Sequence, residues 1–455
     1  MVRGLHLVIS VSCYNSNRSR VTMARILPFP ALRYNLARVR LADVVTQPYD
    51  KITAEMQERY YSASPYNLVR IILGKREPGD NGQNVYSRAA AAFSQWRAEG
   101  ILLGDSEPML YAYAQEFAVP GTPEQRLERL GFIALGQLEP YDAGVVFRHE
   151  QTHSGPKTDR LNLLRATRAH FGQIFMLYND PAGEIDNALA KVARYPADIE
   201  VRDEYDVRHR LWPIPGLVEF IRRRMENAQL IIADGHHRYE TALNYQRERR
   251  KQDPAPPPPG EAAYDRVMMT FINMYGEGLV VLPTHRVIAG LEGFREEQFL
   301  DSVRVFFEVE PVEVNDAAQA TAMLRSAGKE RTVLLAVMQG GSFLLRARPA
   351  EVEQKLAQLS AHQRGLDVVI LHKLALELVL GLSEEAIREQ RHISYLRDAG
   401  EAIARVRSGA NVAFLMNPVR IEQVRDTAFA GEVLPQKSTD FYPKLLSGLT
   451  IYALE

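Results

Sequence analysis

The sequence predicts an α/β or α+β fold with mixed sheets and helices, and three observations carry that reading. Apolar runs of strand length, such as residues 174–178 and 230–233, alternate with stretches of helical period such as 85–99. Glycine-bearing reversals at Pro120-Gly121 and Gly340-Gly341 join neighbouring runs as hairpins. One apolar run, Leu230-Ile231-Ile232-Ala233, breaks at Asp234-Gly235 and passes directly into a helical pattern over 239–250.

Taken in order, residues 24–50 are rich in proline and turn formers and end at a Pro48-Tyr49-Asp50 turn beside Lys51. A helix follows over 53–62 with Thr53 as its cap, then a strand over 67–74 and an amphipathic helix over 85–99 with Phe93 and Trp96 on the apolar face. Residues 109–117 and 129–138 form a hairpin. A polar cluster over 147–160 leads into a helix over 157–170, and 174–178 is a buried strand. Helices are expected over 185–193 and 216–226, flanking a strand over 207–214. The proline-rich stretch 253–260 is a stiff surface loop or linker. Beyond it come strands over 266–275 and 279–282, a hairpin over 332–347, an apolar helix over 366–380, and a buried strand over 410–416. Residues 1–22 read as a disordered extension or a misassigned start. Residues 23–455 read as one globular unit, with lobes at 23–180, 181–290 and 291–455.

Composition narrows the function. The 455 residues are 46% hydrophobic and 24% charged with a formal charge of −1, which gives no electrostatic case for nucleic acid or an anionic membrane as a partner. No stretch approaches the roughly 18 apolar residues of a membrane span. The single Cys13 permits no internal disulfide or thiolate cluster and fits a reducing, cytoplasmic setting. A small-molecule substrate is the expected partner. The oligomeric state is left open.

The segment Asp234-Gly235-His236-His237-Arg238 is the densest reactive set in the chain. A strand, a tight turn and a helix start leave several backbone amides aimed at one spot. Cations at the positive end of a helix are disfavoured by roughly 0.3–1 kcal/mol each unless an anion sits there. The segment therefore reads as a phosphate site. It also reads, more blandly, as a cap, a turn glycine and a solvated first turn. Glu150 and Lys157 are expected on a loop facing the same place or, equally, on a solvated loop. Arg286, Lys437 and Lys444 are candidates to complete a cationic clamp.

His149-Glu150-Gln151-Thr152-His153 matches the H-E-x-x-H zinc-protease pattern, which requires both histidines on one helix face. A strand-like approach and Ser154-Gly155-Pro156 just after it argue against that helix, so no metal ligand is assigned. There is no P-loop, no G-x-G-x-x-G after a strand and no G-x-S-x-G elbow.

Several motifs together resemble one family. They are Met23-Ala24-Arg25-Ile26 with Pro28-Phe29, Pro48-Tyr49-Asp50, His149-Glu150-x-Thr152, and Pro156-Lys157 with Asp159-Arg160-Leu161. Asp234 to Tyr239, Leu282 to Arg286, and Pro435 to Thr439 with Phe441-Tyr442-Pro443-Lys444 complete the set. In this order, from about residue 23 onward, they resemble the prokaryotic family catalogued as domain of unknown function 1015. In that family pattern the last position of the histidine motif varies, which makes His153 incidental.

The Asp-Gly-His-His-Arg segment is also similar to one in the ParB/sulfiredoxin-like superfamily, which includes nucleotide-dependent free serine kinases. That resemblance implies a ParB/sulfiredoxin-like strand-turn-helix phosphate site. Gly235, His236, His237 and Arg238 would hold nucleotide or substrate phosphates, with ATP or ADP as the nucleotide, and Asp234 would contact the reacting hydroxyl or Mg²⁺. The expected function is a nucleotide-dependent phosphotransferase on a small hydroxylated metabolite, with a serine-like amino acid first, and Asp234 and Glu150 as its catalytic carboxylates. The rivals are a phosphatase of a phosphorylated amino acid, a non-catalytic nucleotide-binding regulator and, last, a zinc hydrolase.

Overall fold

The computed structural model describes residues 24–81, 84–150, 155–329 and 331–455, with residues 155–157 described by backbone alone. Residues 1–22, with Cys13, and His153 lie outside the described residues, as does the side chain of Lys157.

The fold is mixed α/β and is organised by two large sheets. The first has nine strands among the described residues. From one edge its order is Val146–Arg148, Leu230–Asp234, Ile174–Tyr178, Arg266–Asn273, Thr122–Gln137, Tyr111–Val119, Arg208–Pro213 and Ile199–Arg202, with Ile26–Leu27 pairing against Thr122–Gln137. Two pairings are parallel, Leu230–Asp234 with Val146–Arg148 and Arg266–Asn273 with Ile174–Tyr178; the others are antiparallel. The sheet draws strands from both sides of residue 180, so the lobe boundary expected at 180/181 falls inside it.

Continuous apolar runs such as Ile174–Tyr178 are buried throughout because both sheet faces are covered. Alternation sends Leu230 and Ile232 into one core, with Met176 and Phe132, and sends Ile231 and Ala233 into the other, with Phe175 and Ile133. The second sheet is antiparallel, ordered Phe307–Val312, Gly341–Ala347, Val333–Met338, Val412–Leu415, His285–Ile288 and Ile393–Leu396. After it the chain returns beside the first sheet and forms a separate two-stranded sheet there. Leu434 N donates to His149 O at 2.8 Å, and Asp440–Tyr442 pairs with Val280–Leu282.

Two expected elements differ. Residues 67–74, expected as a strand, contain a short helix, Val69–Ile72, because Asn67 Oδ1 accepts from Val69 N at 2.9 Å and starts a turn. The apolar helix expected over 366–380 begins as α, Asp367–Ile370, and continues as a π-helix, Leu371–Val379. Among the described residues no helix is long and apolar enough to cross a membrane.

Candidate functional site

The site begins with a register shift. Ile232 pairs with Met176 but Asp234 pairs with Phe175, so the intervening Ala233 makes a bulge. Simple alternation would put Asp234 on the face of Leu230 and Ile232. The bulge moves it to the face of Phe175, where the returning segment lies. Phe175 packs edge-on against Phe441 at 5.6 Å, and Arg129 lies 4.6 Å over the Phe175 ring.

Gly235 then takes φ +93°, a left-handed value, and the helix His236–Gln252 starts at once with no side-chain cap. Asp234 is therefore the end of a strand and not an N-cap. Amides in the first turn of a helix have no carbonyl a turn below them, so this start is suited to an anion.

Two cations grip the Asp234 carboxylate: Lys444 Nζ at 3.0 Å and Arg238 Nη2 at 2.6 Å. Lys444 also reaches Asp440 at 3.0 Å, and Asp440 accepts from Arg397 at 2.8 Å. Burial alone would raise the Asp234 pKa, but Lys444 and Arg238, followed by Lys51, hold it well below the ordinary carboxylate range. Burial works against charged Lys444, yet Asp234 and Asp440 outweigh it and raise its pKa. Lys51 is pushed down by burial, then by Lys444 and Arg397. It is partly buried, and its ammonium has no hydrogen-bond or ion-pair partner among the described residues.

The Arg238 guanidinium folds back over Gly235 and against Gly172. A Cβ would lie 2.9 Å from its Nε at Gly235 and 3.1 Å from its Nη1 at Gly172. Lys444 is placed by a deeper layer, in which the buried Arg129 donates to the carbonyls of Tyr442 and Pro443 and to Gln115. Burial lowers the Arg129 pKa to about 9.

His236 packs against the fully buried His149, with ring centroids 4.9 Å apart. Burial first, and then His149, hold His236 well below its usual pKa, so it is neutral. Its Nε2 is buried without a hydrogen-bond partner among the described residues. His236 brings no positive charge to the helix start, Arg238 is matched by Asp234, Lys444 and Arg397 share Asp440, and Lys51 is the cation of this group without an ion pair among the described residues.

His149 has both nitrogens occupied, Nδ1 at 2.6 Å from Ile232 O and Nε2 at 2.6 Å from Thr439 Oγ1. It directly follows the strand Val146–Arg148, and residues 151–153 of the histidine motif lie outside the described residues. Glu150 accepts from Thr439 N and from its hydroxyl, each at 2.9 Å. It anchors the returning segment and does not bond Asp234.

Arg286 is 1% exposed and donates to the carbonyls of Thr284 and Lys437, so it binds backbone and is not part of the clamp. Lys437 is exposed, with φ +58°. The helix carrying Lys157 starts at Gly155, but its side chain lies outside the described residues. His237 is half-buried in the first helical turn. Sequence reasoning missed Lys51, Asp440 and Arg397. Lys51 alone had a local signal, its place beside the Pro-Tyr-Asp turn.

The described residues do not form a ready magnesium site. Both Asp234 oxygens are in ion pairs, and no three metal-ligating side chains converge among the described residues.

The class is a mixed α/β protein built around a strand-turn-helix start with surplus cations. The chain belongs to the family described as protein of unknown function (DUF1015), which it matches over residues 26–369. No curated protein matches it significantly. Among solved structures it is similar to a conserved hypothetical protein from Pyrococcus furiosus, at 14% identity and a TM-score of 0.33, over 67% of this chain and 90% of that one. It is similar to a variant of free serine kinase in complex with ADP, at 14% identity and a TM-score of 0.34, over 67% and 89%. It is also similar to SbnI with C-terminal truncation from Staphylococcus aureus, at 10% identity and a TM-score of 0.34, over 70% and 87%.

Proposed function

We propose that this chain transfers a phosphoryl group between a nucleotide and a small hydroxylated metabolite, with a serine-like amino acid as the first acceptor to test. The carrying observation is Lys51, a partly buried ammonium without a hydrogen-bond or ion-pair partner among the described residues, beside the Lys444–Asp234–Arg238 group at an uncapped helix start. Such an excess of cations favours a phosphate guest, since phosphoryl transfer asks chiefly for positioning and for neutralisation of the equatorial oxygens.

In this reading the first-turn amides, Arg238 and Lys51 hold the transferring phosphate. Asp234 orients the acceptor hydroxyl. A carboxyl held so far below neutral is a poor proton acceptor, so orientation and not base catalysis is its role. Glu150, bonded to Thr439, positions the segment that carries Lys444. A nucleotide would bring Mg²⁺ with it, its phosphates supplying ligands that the described residues do not gather.

The test is calorimetric titration of ATP, ADP and phosphoserine into the wild type and Arg238→Ala, with phosphoserine formation from serine followed alongside. Affinity should fall at least about tenfold, which is about 1.4 kcal/mol. Unchanged binding in Arg238→Ala would end the proposal. One observation favours a nucleotide-binding regulator instead: both Asp234 oxygens are already engaged. Tight binding with no turnover over hours would select that reading.

A further inference from the structure

A cleft opens beside Arg238, which forms part of its wall. Its volume is about 70 Å³. That is below the roughly 300–1,000 Å³ of pockets that enclose a whole drug-sized ligand, so the cleft would take one end of a molecule and leave the rest outside it. The walls are apolar: Ile72, Leu163, Leu164 and Phe171 line it, each under a tenth exposed. A small polar acceptor has nothing to gain there.

The polar groups are confined to a few places. Tyr49 stands at the wall with the Arg160 guanidinium 4.2 Å over its ring, a flat cationic and aromatic surface of the kind that receives planar rings. His170 also lines the cleft. Burial lowers its pKa to about 4, so it is neutral and offers one donor and one acceptor. Thr241 Oγ1 donates to His237 O at 2.7 Å and keeps its acceptor capacity.

Arg238 joins the two compartments. Its Nη2 bonds Asp234, while its guanidinium also forms part of the cleft wall against Gly172. A molecule with a flat apolar end and an anionic end would span both. We propose that this cleft receives the nucleobase of a nucleotide whose phosphates lie at the Gly235–Arg238 helix start. This inference rests on the phosphotransferase reading for its anionic half only.

Titrations of the full chain with ADP, inorganic pyrophosphate and free nucleosides separate the two. In the wild type ADP should bind at least about tenfold tighter than pyrophosphate, and at least one nucleoside should bind alone. Leu164→Trp fills the cleft and should remove the ADP advantage and the nucleoside binding while leaving pyrophosphate binding unchanged. The wild-type comparison needs no variant, so it decides the matter even if Leu164→Trp does not fold. ADP and pyrophosphate binding equally, or ADP binding untouched by Leu164→Trp, would overturn the cleft assignment and leave the anion site standing. A phosphorylated aromatic amino acid binding tighter than ADP would overturn it in favour of an acceptor in the cleft. Neither ADP nor pyrophosphate binding at all would remove the reading beneath it as well.

Discussion

Replacing Lys444 by methionine tests how the site is held. The ammonium lies 3.0 Å from one oxygen each of Asp234 and Asp440. Its side chain is 10% exposed, against 20% and 8% for the two carboxylates, so all three charges are largely withdrawn from water. Methionine keeps most of the apolar stem, which makes the loss chiefly electrostatic. Removing one member of a buried ion pair costs about 3–5 kcal/mol, because its partners stay charged and desolvated. Asp234 keeps Arg238, and Asp440 keeps Arg397, so the lower end, about 3 kcal/mol, is expected. Adding Asp440→Asn removes one stranded charge and should restore about 1 kcal/mol or more in a double-mutant cycle.

Urea unfolding at neutral pH measures these differences. A loss below about 0.5 kcal/mol in Lys444→Met, the range of ordinary surface substitutions, would refute the picture of a desolvated trio. The acid limb checks it independently. The folded-state pKa of Asp234 lies below its unfolded value of about 3.9, so its contribution is present above that pH and lost as pH falls through the folded value. Without Lys444 the two values approach each other, so stability should fall less steeply below about pH 4 than in the wild type.

Gly235→Ala forces a left-handed residue and sets a Cβ 2.9 Å from Arg238 Nε. It should cost about 1–2 kcal/mol in urea unfolding and weaken phosphate binding, and phosphate affinity equal to wild type would count against the placement of Arg238. Thr439→Val leaves the buried His149 Nε2 unpaired and removes one Glu150 bond, an expected loss of about 1–3 kcal/mol; a loss within experimental error would mean that this link is idle. Arg286→Met should destabilise by about 2 kcal/mol or more, since two carbonyls lose their donor, while phosphate affinity stays within about twofold. Weakened phosphate binding with stability unchanged would return Arg286 to the clamp.

The strand-turn-helix unit was legible because everything that makes it is local. Four apolar residues, a break and a helical period occupy one continuous stretch, and the structure has the strand at Leu230–Asp234 and the helix at His236–Gln252. The hairpin through Gly340-Gly341 was legible for the same reason. Residues 67–74 were not, because a short apolar run fits strand and helix equally until Asn67 commits it to a turn. The bulge at Ala233 was invisible as well, since register is settled by the partner strand and not by the strand's own pattern.

That bulge changes where the site's charge comes from. Sequence adjacency pointed to His236, His237 and Arg238 as the cations, on the premise that neighbours in the chain act together. The fold instead turns Asp234 toward Lys444, 210 residues onward, and places Lys51 from far upstream beside them. His236 is neutral by burial, and Arg238 is spoken for by Asp234. The positive excess therefore depends on the returning segment being seated, and Glu150, Thr439, Arg129 and Gln115 are the groups that seat it. Any change that loosens that segment should weaken anion binding even if the Asp234–Arg238 stretch is left intact.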